Sequence, residues 1–179
     1  MKILAVVLLM VVLSLGANLA MALTDDATAV VTCTVATIVE WDNVVNAGNF
    51  LSIVIPDITD QATSRSNSRM LVLYTNGDLN ITADDSNDAQ LIERVTSNDT
   101  LVTEYKLEYD GDGATETGGT NVPWALYNAF IPSGSGSAVT HYTLDGAVEV
   151  TLFARASNDT GNVADAGAYT ALQTLTATW

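Results

Sequence analysis

The oxygen-rich loops are where this sequence could do chemistry. The stretch DGDGATE carries Asp110, Asp112 and Glu116 among glycines. Carboxylates spaced along a flexible loop are hard donors of the kind calcium gathers, at about six to eight oxygens per ion. The expectation is a calcium site at Asp110, Asp112 and Glu116. Asp and Gly at this density also make turns with no ion present, and that alternative stays open. A weaker cluster, Asp84, Asp85 and Asp88, lies in ADDSND. His141 is the single histidine and Cys33 the single cysteine, too few nitrogen and sulfur ligands for a zinc site. Nothing beside His141 in AVTHYTL supplies the nucleophile and orienting acid of a hydrolytic triad. It reads as a structural strand residue sharing a face with Val139 and Thr143. PSGSGS lacks the lysine and the following helix of a phosphate loop. Two carboxylates can hydrolyse a glycoside, but the acids here sit among Asn, Ser and Gly. Aromatic residues are 7% of the chain, and they do not interleave with the acids as sugar platforms would. We expect no enzymatic activity. Asn80, Asn98 and Asn158 each open an Asn-x-Thr sequon and are candidate glycosylation sites.

The elements that must hold these loops read as β throughout. LVTEYKLEY puts Leu101, Thr103, Tyr105, Leu107 and Tyr109 on one face and charged residues on the other, the period-two pattern of a half-buried strand. GAVEVTLFAR repeats it with Val148, Val150, Leu152 and Ala154. FLSIVI (50–55) and RMLVLYT (69–75) are nearly continuous apolar runs, as for strands buried between sheets. Asn76-Gly77 predicts a type I′ hairpin joining MLVLYT to LNIT. DAQLIERV has room for two helical turns but leads back into strand-like sequence. Turn signals at regular spacing predict an all-β fold, an immunoglobulin-like or jelly-roll β-sandwich of about 8–10 strands.

Ahead of the strands, Lys2 is followed by a continuous apolar stretch and by Ala20-Met21-Ala22, the small-x-small pattern of a cleavable secretory leader. The expected organisation is a signal peptide over residues 1–22, an N-terminal strand over 23–41 and a β-sandwich domain over 42–179. The expected location is secreted, extracellular or at the cell surface, with no membrane association after cleavage. The net charge is −15, which repels nucleic acid. A lone thiol forms no internal disulfide. Cys33 is either a small buried apolar residue or a bridge between subunits.

Residues 27–41 contain no glycine, proline or basic residue. At about 3.3 Å per residue the run would span roughly 50 Å, about twice an ordinary sandwich strand. Ala27, Ala29, Val31, Cys33 and Val35 alternate with a face rich in threonine. Such a strand either breaks at a bulge and switches sheets, or leaves its own domain and completes a neighbour's sheet by strand addition.

ATAVVTCTVAT near the start and AGAYTALQTLTATW at the end resemble the secreted β-sandwich subunits of the spore coat protein U and fimbrial type. Those subunits begin with a Thr/Ala/Val strand carrying a cysteine and end in Gly-x-Tyr-Thr followed by alternating threonines. The resemblance is confined to the two ends, and this chain has no second cysteine for that type's usual disulfide. It implies an immunoglobulin-like fold and homo-oligomeric surface fibres built by strand exchange. The expectation is a structural subunit of an extracellular filament or surface layer, polymerising through Ala27, Ala29, Val31, Cys33 and Val35. The terminal strand is one candidate lip of the receiving groove. The alternative is a secreted carbohydrate- or calcium-binding module displaying an aromatic platform at Trp124 and Tyr127.

Overall fold

The computed structural model describes residues 28–42 and 52–179. The expected leader, Ala27 and the first two residues of FLSIVI lie outside the described residues. The described residues from Ala36 onward form one unit, and residues 28–35 belong to another.

The larger unit is all-β, with eleven strands and no α-helix among the described residues. In chain order they are β1 (Val39–Trp41), β2 (Arg65–Thr75), β3 (Leu79–Ala83), β4 (Ile92–Glu93), β5 (Val102–Tyr109) and β6 (Gly118–Gly119). They continue with β7 (Val122–Leu126), β8 (Ser137–Thr140), β9 (Ala147–Ser157), β10 (Tyr169–Thr170) and β11 (Leu175–Thr178). A five-stranded sheet runs β1-β2-β9-β5-β7, a four-stranded sheet β11-β3-β8-β6, and β10 pairs with β4 alone. Every pairing is antiparallel.

Alternation decides which faces meet. Leu71 and Leu73 of β2, Tyr105, Leu107 and Tyr109 of β5, and Val148, Val150 and Leu152 of β9 share one core with Leu79 and Ile81 of β3 and Val139 of β8. This shared core between two sheets is the architecture of a β-sandwich. The two buried tyrosines keep their hydroxyls paired, as burial requires. Tyr105 donates to Ala89 O at 2.7 Å and Tyr109 to Ser137 Oγ at 2.9 Å. Desolvation raises both phenols above their ordinary pKa. Phe130 and Ile131 are buried from a loop, and the Phe130 ring lies 5.7 Å from that of Tyr105.

Of the expected N-terminal strand, Val39–Trp41 pairs within the chain, to residues 73–75 of β2. Pairing stops there because the Asn76 side chain takes the groups a longer ladder would use. Its Nδ2 donates to Ala36 O at 2.8 Å, and its Oδ1 accepts from Ile38 N at 2.9 Å. Asn76-Gly77 is not a hairpin. β2 and β3 lie in different sheets, and neither residue adopts the positive φ that a type I′ turn needs. Gly77 instead lies against the ring of Trp179, which a Cβ there would push aside. Residues 52–55 of the apolar run FLSIVI enter no strand, although Ile53 and Ile55 pack on the core.

Candidate functional site

Residues 28–38 are exposed throughout and form no strand. Within residues 28–35 the exposure is extreme for aliphatic side chains: Val30 93%, Val31 90% and Val35 72%. Cys33 is a free, exposed thiol, which corrects the reading of a buried apolar residue. With no neighbour to pack against, β-branched side chains fit a strand without making one, since strand propensity measures packing on a pleated surface.

Among its described residues the larger unit holds a groove of about 1640 Å³. Its floor is the inward face of the five-stranded sheet at Leu71, Tyr105, Leu152, Ala154 and Ala156, side chains that are themselves buried. Along β9 the inward side chains shrink from Val148, Val150 and Leu152 to Ala154 and Ala156. The floor is therefore recessed at one end. One wall is residues 52–61 and the other residues 163–175. The second wall includes Tyr169 and Leu175, part of the terminal segment expected as a lip.

Each wall is held by side chains as much as by ladders. On one side Asn67 Nδ2 donates to Val54 O at 2.8 Å and Arg69 Nε donates to Ser52 O at 3.0 Å. Residues 52 and 54 thus lie antiparallel beside β2 without a main-chain bond to it. On the other side β4 pairs Glu93 with Tyr169. The buried Glu93 carboxylate accepts from the backbone N–H groups of Ser97 (2.8 Å), Thr96 (2.8 Å) and Val95 (3.1 Å) and from both hydroxyls. Those donors, Ser97 and Thr96 first, pull its pKa from 4.5 to about 2. A group depressed on folding stabilises the native state in full above its unfolded value, and the contribution is gone once the pH has fallen through the folded one. Glu93→Gln, which turns an amide N–H2 toward these donors, is expected to lower the melting temperature at pH 7. Melting curves should show the gap to wild type shrinking between about pH 4.5 and pH 2; a gap independent of pH counts against the carboxylate's role.

The other sequence candidates fall elsewhere. Asp110 Oδ1 accepts from Glu149 N at 2.8 Å, across to β9. Asp112 Oδ1 accepts from Thr115 N at 2.9 Å and Ala114 N at 2.7 Å, and these bonds, Thr115 first, hold its carboxyl below the ordinary range. Glu116 contributes its carbonyl to Gly113 N at 3.0 Å. Asp112 thus organises the turn, Asp110 ties it to β9 and Glu116 takes part through its backbone, and among the described residues no group of three or more His, Cys, Asp or Glu side chains is placed to hold a metal ion. Asn80 and Asn98 are exposed. Asn158 is engaged on both sides of its amide, donating to Asp60 O at 3.2 Å and accepting from Ala164 N at 3.0 Å. The two SNDT copies share turn chemistry: Thr100 N bonds Asp99 Oδ1 at 2.8 Å and Thr160 N bonds Asp159 Oδ1 at 2.7 Å. His141 follows β8, its N–H bonded to Asp78 Oδ1 at 2.9 Å. Trp124 and Tyr127 form no joint platform. Trp124 meets Phe153 edge-on at 6.3 Å beneath Arg155, whereas Tyr127 packs on the core.

Sequence reasoning missed Asn67, Arg69, Ala154, Ala156 and Glu93. The taper of β9 toward alanine was a visible signal for the floor. No spacing rule marks the side chains that fasten the walls. No family model, curated protein or solved structure matches the chain.

Proposed function

We propose that this chain is a structural subunit of an extracellular filament or surface layer, assembling by donating its N-terminal ribbon to the next copy. The observation that supports this is the state of residues 28–35: uncharged, rich in valine, exposed and in no strand. A run of exposed aliphatic side chains marks a surface that meets a partner. Burying Ala29, Val31, Cys33 and Val35 at about 25 cal/mol per Å² contributes several kcal/mol, and main-chain pairing fixes the register. Donor and acceptor are different surfaces, so the contact is heterologous and propagates without closing. Secretion keeps the ribbon out of the cytoplasm and delivers subunits where a fibre grows.

Negative-stain microscopy of the purified full chain tests the reading. Fibres are expected, with multimers that survive SDS without boiling. A monodisperse monomer at every concentration would exclude it.

A further inference from the structure

We propose that the groove above Leu71, Leu152, Ala154 and Ala156 is the seat for residues 28–35 of a second copy, which enters along the open edge of β2 in place of residues 52–57. This rests on the strand-donation reading above and adds where the strand goes and what it displaces.

The first ground is the edge itself. β1 pairs with β2 only at residues 73–75, and the Asp42 N–H bonds Val72 O at 2.9 Å. Antiparallel main-chain groups point alternately to the two sides, so Met70, Ser68 and Ser66 turn theirs to this same edge. Among the described residues, Met70 and Ser66 make no main-chain bond there, and the Ser68 N–H is capped by Asn67 Oδ1 at 2.9 Å. An unpaired sheet edge beside an apolar floor is a template for one more strand.

The second ground is what now occupies the place. Residues 52–57 are alongside, yet they are fastened through Asn67 and Arg69 side chains and not through a ladder. A strand making main-chain bonds to β2 replaces two side-chain bonds with a series. The third ground is size. A volume of about 1640 Å³ exceeds the roughly 300–1,000 Å³ of small-molecule pockets and suits a polypeptide.

The choice of a second copy follows from charge. In a chain of net charge −15, copies repel one another. Residues 27–39 carry no charge at all, so this ribbon is the part of one copy that approaches another without that penalty. Its alternating small and β-branched side chains suit a floor that recedes to alanine.

The single native thiol makes the test direct. Ala154→Cys, and separately Ala156→Cys, are introduced into the full chain, and assembled protein is oxidised with copper phenanthroline. Cys33 of one copy then bridges the groove of the next. The expected result is a ladder of covalent multimers on a non-reducing gel, absent with the exposed control Leu144→Cys and absent when Cys33→Ser is added. Assembly that needs residues 28–35 yet gives no ladder with either variant overturns the groove and leaves strand donation standing. An internally bridged monomer overturns the second copy as occupant. No assembly in any variant or in the wild type removes both readings. As a second measurement, Arg69→Ala loosens residues 52–57 by one charged hydrogen bond and is expected to speed assembly roughly tenfold; an unchanged rate overturns the displacement.

Discussion

A chain lacking residues 28–35 is expected to fold like the full-length protein and to form no polymer. Folding is indifferent because the deleted residues enter no strand, contribute nothing to the core cluster and lie in a separate unit. The sandwich keeps its first strand, since β1 begins at Val39, and keeps the Asn76 bonds to Ala36 and Ile38. Assembly is lost outright because the donor is gone, not weakened. The measurements are paired: a thermal melt superimposing on that of the full chain, and sedimentation showing only monomer. Val31→Asp with Val35→Asp is the gentler form. It keeps the length while placing two carboxylates where a groove would have to desolvate them, and it should abolish assembly equally. A truncated chain that still forms fibres would rule out strand donation by this ribbon.

Phe130→Ala should cost about 3–5 kcal/mol of stability, the range for removing a buried aromatic ring from a core. Phe130 is fully buried, against Tyr105 and within the cluster that joins both sheets. It hangs from an irregular loop whose next residue, Ile131, holds a positive φ of 42° and accepts from Ala83 N at 2.9 Å. That anchored backbone cannot collapse readily into the space left behind, so the cavity contribution is kept. Domains are stable by about 5–15 kcal/mol in all, so the loss removes a large fraction. Urea unfolding should show a lower midpoint at unchanged slope. A loss below about 1 kcal/mol would mean that the site repacks.

Much of this was legible in residues. The faces of β5 and β9 follow from Leu101 to Tyr109 and from Val148 to Ala154, because each strand has a wet side and a dry side and the period is strict. What failed was everything that depends on a partner far along the chain. Residues 28–38 have the composition of a strand, but a strand needs a neighbour, and Asn76 ends the pairing from the next element. Asn76-Gly77 carries a hairpin signal, yet the strands on either side of it join different sheets, and Gly77 lies against Trp179 from the far end of the domain. Phe130 sits in a stretch that reads as loop, because burial through a loop leaves no periodic trace. The groove was invisible for the same reason: its floor comes from β2, β5 and β9 and its walls from residues 52–61 and 163–175, so no single segment carries it.

The position of β9 bears on how the molecule is made. β2 and β5 flank it, so neither can complete its inner pairing until residues Ala147–Ser157 have emerged. Such high contact order places folding in the slow range, milliseconds to seconds. For that interval a nascent chain presents two strands with unpaired inner edges, and each stays open to pairing with another chain until β9 arrives.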